Sequence, residues 1–271
     1  MIKLIAIDLD GTLLNHQKEL VKENIEAVQA AAASGVTIVI CTGRPKSGTK
    51  PYFEQLGLSE NEFLILNNGC SSYQSRDWQL IQSAQLSLFD VSKLHQLCQD
   101  YPGVDLTLTA EQDFYVVSDH VPELVQYDGD LVFTTVKATS IEALQAKNDL
   151  IFQVMYMGEK PLLDQFEAAV RKDLEKDYSV VRSQDYILEI MPKNVTKAWA
   201  LKALAEHLKI DSEHIMAIGD AANDLEMISY AGLGIAMGNA SQAVKNLADA
   251  VTADCDHAGV AQAIKTHVLR K

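Results

Sequence analysis

The stretch IKLIAIDLDGTLL, residues 2–14, carries a mostly apolar segment into two carboxylates, Asp8 and Asp10, and then into Gly11. A short apolar run of this kind fits a strand buried on both faces. Two acidic groups at the end of such a strand mark either a turn or a reaction site. What surrounds the stretch decides the fold. Residues 20–33 (LVKENIEAVQAAAA) set Leu20, Ile25 and Val28 near one helical stripe, closed by Gly35. VTIVICT, residues 36–42, reads as a second strand, residues 46–56 as a second helix, and FLILNNG, residues 63–69, as a third strand. Strand, helix and strand in this order predict parallel pairing with right-handed crossovers.

The same order returns near the other end. A helix over 196–208 leads to the strand HIMAIGD (214–220), the helix DLEMISYA (224–231) and the strand LGIAMG (233–238). Both ends are therefore expected in one α/β sheet. Between them, VDLTLTAEQDFYVVS (104–118) and SVVRSQDYILEI (179–190) alternate like hairpins, mixed with helices such as 161–175. This predicts three segments: 1–83 and 190–271 as the two parts of a core, and 84–189 as an inserted α+β domain. Such an insertion is expected to ride as a lid over the carboxyl ends of the parent strands.

Composition narrows the function. The 271-residue chain is 48% hydrophobic and 22% charged, which is globular, and no biased tract suggests disorder. Asp and Glu outnumber Lys and Arg, 37 to 23, giving a net charge of −14 that repels nucleic-acid phosphates and anionic lipid heads. No basic run offsets it, so neither nucleic acid nor membrane is expected as a partner. The first apolar segment is cut at Asp8 and lacks a cleavage site, and no later run reaches spanning length; a cytoplasmic location is expected. Cys41, Cys70, Cys98 and Cys255 have no C-x-x-C or zinc-like spacing, which argues against disulfides and structural zinc and for core packing. The seven histidines, among them His16, His207 and His214, are dispersed and receive no chemical role.

Four patches end predicted strands or begin helices: DLDGTLL (8–14), CTGRP (41–45), NVTKA (194–198) and GDAANDLEM (219–227). Any one alone could be an ordinary turn. On a parallel sheet, all four converge on one crevice. If Asp8, Asp10, Asp220 and Asp224 share it, their repulsion demands protons or a cation. Oxygen donors without His or Cys favour a hard ion, best met by Mg²⁺. Lys197, Arg44 and Thr42 supply positive charge and a hydroxyl for an anionic substrate, and phosphate fits these parts.

These motifs resemble the haloacid dehalogenase-like (HAD) phosphohydrolases, in the Cof-type branch (subfamily IIB) with its YidA-like sugar phosphatases. The resemblance covers nearly the whole chain and implies a Rossmann-like parallel-sheet core with an inserted α+β cap of C2B type, after the third strand. It implies a Mg²⁺-dependent phosphatase of small phosphorylated metabolites, sugar phosphates first. Asp8 resembles the nucleophile that becomes an aspartyl phosphate. Asp10, two residues on along an extended chain, resembles the general acid and base. The Asp8 and Asp220 carboxylates with the Asp10 main-chain carbonyl resemble the Mg²⁺ ligand set. Thr42 and Lys197 resemble the clamp on the transferring phosphoryl oxygens, Asn223 a phosphate or substrate contact, and Asp224 a support for metal or Lys197. Gly11 and Gly43 permit close backbone approach to phosphate, and Thr12 braces the loop. Arg44 and the pair Asn68 and Gly69 lie near hinge and cleft in this pattern and stay outside the catalytic set. Ala198 departs from the glycine often found after the motif lysine.

Other readings use the same residues. A phosphotransferase or phosphomutase would pass the aspartyl phosphate to a sugar. A non-catalytic phosphate-binding module, or a nucleotide-binding module, should lack one of Asp8, Asp10, Lys197 or Asp220, and the latter wants a G-x-G-x-x-G turn that DLDGTLL does not provide. A dehalogenase has no leaving alkoxide and no call on Asp10. In the inserted segment, Phe114, Tyr115, Phe152, Tyr156 and Tyr186 could stack on a sugar, but core packing is favoured. Glu189 is either a sugar-hydroxyl acceptor or an exposed strand carboxylate. Oligomeric state is not legible.

Overall fold

The computed structural model describes residues 1–58 and 61–269. The first part of the chain forms β1 (Leu4–Asp8), α1 (Lys22–Ala33), β2 (Thr37–Cys41), α2 (Lys46–Gln55), β3 (Phe63–Leu66), β4 (Ser71–Gln74) and β5 (Gln79–Ser83). The middle forms α3 (Leu88–Cys98), β6 (Asp105–Ala110), β7 (Phe114–Val117), α4 (Glu123–Leu131), β8 (Val136–Thr139), α5 (Ile141–Lys147), β9 (Ile151–Met157), α6 (Lys160–Asp177), β10 (Tyr178–Gln184) and β11 (Ile187–Pro192). The chain then returns through α7 (Lys197–Leu208), β12 (Ile215–Gly219), α8 (Leu225–Tyr230), β13 (Leu233–Ala236), α9 (Gln242–Leu247), β14 (Ala250–Val251) and α10 (Gly259–His267). Two compact units result: residues 1–43, 49–82 and 196–271, and residues 44–48 with 83–195.

In the first unit, β1 lies between β2 and β12, parallel to both, so the two ends of the chain share one α/β sheet. Among the described residues the strand order is β14-β13-β12-β1-β2-β3-β4-β5. Every residue of β1 is buried, and its period of two feeds two separate cores. Ile5 and Ile7 join Ile38, Ile40, Met216 and Ile218 beneath α1 and α10, with Val28, Ala31, Val260 and Ile264. Leu4 and Ala6 join Val39, Ile65 and Ala217 beneath α7 and α8, with Leu201, Leu204 and Met227. Helices therefore cover both faces, as a parallel sheet requires. The expected third strand stops at Leu66, because Asn67, Asn68 and Gly69 take positive φ (51°, 54° and 102°) and turn the chain out of the extended region. The hairpin β4–β5 then extends the sheet before the insertion begins, antiparallel to β3 at β4.

In the second unit, β6–β7 and β10–β11 are antiparallel hairpins. They belong to a sheet ordered β10-β11-β9-β6-β7-β8 among the described residues. One face packs Leu106, Leu108, Val154, Tyr156, Leu188 and Ile190 against Val91, Leu94, Leu163 and Phe166 of α3 and α6. The Tyr156 and Phe166 rings lie 4.5 Å apart. The other face gathers Phe114, Val116, Met155, Met157 and Ile187 with Val125 of α4. Phe114, Tyr115, Phe152 and Tyr156 are buried packing residues. The Tyr115 hydroxyl lies within hydrogen-bond distance of the Asp113 and Asp149 carboxylates, and that of Tyr156 donates to the Leu94 carbonyl. Glu189 is buried, not the exposed carboxylate that the alternation allowed, because β11 is flanked by β10 and β9 with Val181 and Met155 as cross-strand neighbours. All four cysteines are buried. Among the described residues no helix is long and apolar enough to cross a membrane.

Asp128 on α4 gives the second unit a pH signature. Burial pushes its pKa up to about 6, against the opposing effects of the Tyr186 hydroxyl, which donates to it at 3.1 Å, and the Arg44 charge. A carboxyl whose folded pKa lies above its unfolded value near ~3.9 is a source of stability only while protonated, and that stability is lost as pH rises from about 4 through 6. Asp128→Asn, which keeps the acceptor for Tyr186, is expected to stabilise the protein by about 1–3 kcal/mol at pH 7.5. The advantage should vanish by pH ~4. Paired thermal melts across this range check it; a pH-independent difference would reject the assignment.

Candidate active site

The first unit brings its strand ends together. Asp8 closes β1, Thr42 follows β2, and Gly219 and Asp220 end and follow β12. Lys197 stands at the first position of α7, which Thr196 caps by accepting the Trp199 amide at 3.2 Å. Gly69 fixes where that helix begins: at φ 102° a Cβ would overlap the Thr196 carbonyl, so only glycine lets the turn after β3 press against the start of α7.

Lys197 is buried, and its Nζ donates to Asp8 Oδ1 at 2.6 Å and Asp224 Oδ1 at 2.8 Å. The second oxygen of Asp224 accepts the Asp220 and Ala221 amides, both at 3.0 Å. Asp224 is thus fully engaged as a support. Asp220 Oδ1 accepts the Thr12 hydroxyl at 2.9 Å, so Thr12 braces Asp220. Gly11 has φ 77°, and a Cβ there would lie 2.6 Å from Asp220 Oδ2. Asp8, Asp220 and Asp224 each place a carboxylate oxygen within 4.8 Å of the others.

The electrostatics follow from this crowding. Burial, then repulsion from Asp224, raises the Asp8 pKa, while Lys197 pulls it back. Burial and Asp224 push Asp220 up to about 6, against the Thr12 hydrogen bond. Burial works against the Lys197 charge, but Asp224 and Asp8 outweigh it and hold its pKa above the ordinary lysine value. One buried ammonium faces three carboxylates, so the cluster is short of positive charge.

A second group adjoins the strand ends. The Thr42 amide donates to the Ile65 carbonyl at 2.8 Å, and its own carbonyl accepts the Asn68 amide at 3.0 Å. A Cβ on Gly43 would come within 3.1 Å of the Asn68 amide, and Asn223 Nδ2 donates to Asn68 Oδ1 at 2.9 Å. Thr42, Gly43 and Asn223 are thereby tied together through Asn68, a buried residue that the sequence reading left outside the set.

Asp10 is placed differently from the alternation argument. The strand ends at Asp8 and residue 10 sits in an isolated bridge with Leu14, so a period of two no longer applies. The Asp10 carboxylate, one third exposed, accepts Lys18 Nζ at 2.7 Å. Asn239 was missed altogether: it donates to the Gly11 carbonyl at 2.8 Å and more distantly to Asp220 Oδ2 at 3.3 Å. Its signal was the strand-end turn after LGIAMG, the same position in the grammar as the other patches.

Comparison with known proteins agrees with this fold. The model of the haloacid dehalogenase-like hydrolases matches residues 5–264. The Bacillus subtilis protein YxeH is 34% identical over the full length of both chains. The 5-amino-6-(5-phospho-D-ribitylamino)uracil phosphatase YcsE of Bacillus subtilis is 32% identical, over 99% of this chain and 96% of that one. A structure of a HAD subclass IIB sugar phosphatase, 25% identical, covers 97% of this chain and 98% of its own with a TM-score of 0.80. The chain belongs to the haloacid dehalogenase-like hydrolases. It is an enzyme of that family's phosphatase class.

Removing the ammonium while keeping the volume should expose its role. Lys197→Met leaves Asp8 and Asp224 buried without their shared cation, a change that typically costs about 3–5 kcal/mol. We expect a lower urea midpoint at pH 7.5 and partial recovery at pH 5.5, where the carboxyls can neutralise by protonation. Unchanged stability at both pH values would mean that the pair is not held as described.

Proposed function

We propose that the chain is a cytoplasmic, Mg²⁺-dependent phosphatase of small phosphorylated metabolites, sugar phosphates first, acting through an aspartyl phosphate on Asp8. The observation that carries the reading is Lys197 bridging Asp8 and Asp224 at the ends of buried elements beside Asp220. A nucleophilic carboxylate must be ionised, and burial alone would protonate it; the 2.6 Å contact with Lys197 opposes that.

The donor set fits a magnesium ion. It offers only oxygen, it clusters within 4.8 Å, and burial with mutual repulsion leaves Asp8 and Asp220 demanding a cation. The Asp8 and Asp220 carboxylates and the Asp10 main-chain carbonyl would hold it. When bound, it neutralises charge on the phosphoryl oxygens and on the carboxylates around them.

On this reading a free Asp8 oxygen attacks phosphorus and the bond to the ester oxygen breaks. Asp10 gives its proton to the departing alkoxide. A water then attacks the same phosphorus, Asp10 takes its proton, and the bond to Asp8 breaks to release inorganic phosphate. Asp10 must leave Lys18 to do this, and its partial exposure permits the exchange. Thr42 and Gly43 receive phosphoryl oxygens at the end of β2. Lys197 steadies the transferring group by charge, and Asn223, held by Asn68, meets phosphate or substrate. Two similarities support the substrate class: a sugar phosphatase among the structural neighbours, and a relative whose named substrate carries a 5-phospho-D-ribitylamino group. Both point to a phosphate on a polyhydroxylated chain. The net charge of −14 speaks against nucleic acid or anionic membrane as a partner.

Two measurements test the mechanism. Phosphate release from a panel of sugar phosphates with Mg²⁺ should fall below about one-thousandth in Asp8→Asn and be lost with EDTA in the wild type. Retained release in a folded Asp8→Asn protein would remove Asp8 from the chemistry. Asp10→Asn should slow alkyl phosphates by about 10²–10⁴-fold but aryl phosphates, whose leaving groups need no proton, far less. Equal slowing of both would reject Asp10 as the acid.

A further inference from the structure

A second group of metal-type donors lies in the same unit, outside the acidic cluster. His16, in the loop after Asp10, and Cys255 and Asp256, in the turn before α10, each place a donor atom within 4.8 Å of the other two. His16 Nδ1 lies 3.6 Å from Cys255 Sγ and 2.6 Å from Asp256 Oδ2. Zinc takes sulfur at about 2.3 Å and imidazole nitrogen at about 2.0–2.1 Å, which across a tetrahedral angle separates the two donors by about 3.5 Å. The sulfur and nitrogen already stand at that spacing. The carboxylate is closer to the imidazole because the two share a hydrogen bond, and it has room to withdraw, since its side chain and that of His16 are both exposed.

Both sides of this arrangement are anchored. The His16 amide donates to Asp256 Oδ1 at 3.1 Å, which ties the two segments together by backbone as well as side chain. Asp254 caps the turn, accepting the Asp256 and His257 amides at 3.1 and 3.0 Å and so fixing the backbone that presents Cys255 and Asp256. The Cys255 amide donates to Asn239 Oδ1 at 3.0 Å, and Asn239 in turn reaches Gly11 and Asp220.

The geometry points to a binding site for a borderline-soft divalent ion of the zinc class, held by His16 Nδ1, Cys255 Sγ and an Asp256 oxygen, with the fourth position open to water. The donor types separate it from the acidic cluster: a thiolate and an imidazole select zinc or cobalt over magnesium, whereas three carboxylates do the reverse. Binding releases the Cys255 thiol proton to solvent and takes the neutral His16 tautomer that carries its hydrogen on Nε2, leaving thiolate, neutral imidazole and carboxylate as ligands. The filled site joins the loop after Asp10 to the turn before α10, two segments that the fold otherwise links here by hydrogen bonds.

Cobalt(II) reads out this site directly, because a thiolate ligand gives a sulfur-to-metal charge-transfer band in the near ultraviolet. Reduced, EDTA-treated and desalted protein, with Mg²⁺ in excess to fill the acidic cluster, is titrated with Co²⁺. One equivalent should produce the band together with the visible absorption of four-coordination, and Zn²⁺ should abolish both. Cys255→Ser should lose the band. His16→Ala, a change at an exposed side chain, should weaken Co²⁺ binding by about tenfold or more. Asp8→Asn, which alters only the acidic cluster, should keep the band. Absence of a charge-transfer band in the wild type, its persistence in Cys255→Ser, or unchanged affinity in His16→Ala would each overturn the site. The readout is absorption, so it stands or falls apart from phosphatase activity.

Discussion

An ammonium group stripped of water must be surrounded by anions, and Lys197 meets that requirement with two. Around this contact the ends of the chain become one site. Lys197 comes from the returning segment, Asp8 from the first strand, and Asp224 from the turn after β12. Withdraw Lys197 and both carboxylates are left buried without their cation. The same contact bears on the chemistry: it opposes the burial and repulsion that raise the Asp8 pKa, and it still leaves the cluster short of positive charge.

The sheet makes that meeting possible. With β1 between β2 and β12, the order reverses at β1, and loops from the two sides leave the carboxyl ends in opposite directions. The crevice so formed is where Asp8, Thr42 and Asp220 arrive without any of them being near another in sequence. Small residues then set the clearances. Gly11 admits Asp220 and Gly69 admits the start of α7, and both occupy the left-handed region that side chains avoid. Asn68, held in the same region, becomes the tie between Thr42 and Asn223.

Much of the fold was legible because its signals are local. The buried runs of β1, β2 and β12 and the two hairpins of the second unit each follow from a periodicity within a dozen or so residues, whereas α1 starts at Lys22, past Leu20, and buries Asn24, Ala27 and Ala31 beside Val28. The misses have physical causes. The third strand was read too long because asparagine at positive φ looks no different in sequence from asparagine in a strand. Glu189 was allowed to be exposed because alternation gives the side of a strand and says nothing of what covers it. The alternation that placed Asp10 stopped two residues early, where the strand itself stopped.

The residue types, and so the available chemistry, were determined by the sequence alone: carboxylates, one lysine, a threonine and glycines at strand ends have one obvious common use. Which of them touch was decided by the tertiary structure. Asp8 and Lys197 are 189 residues apart, Thr12 and Asp220 208, and His16 and Asp256 240. Contacts of that separation depend on which strands become neighbours, and no local propensity encodes it. For the same reason a spacing rule for zinc reads only cysteines and histidines close in sequence, whereas His16 and Cys255, 239 residues apart, lie within 3.6 Å of each other.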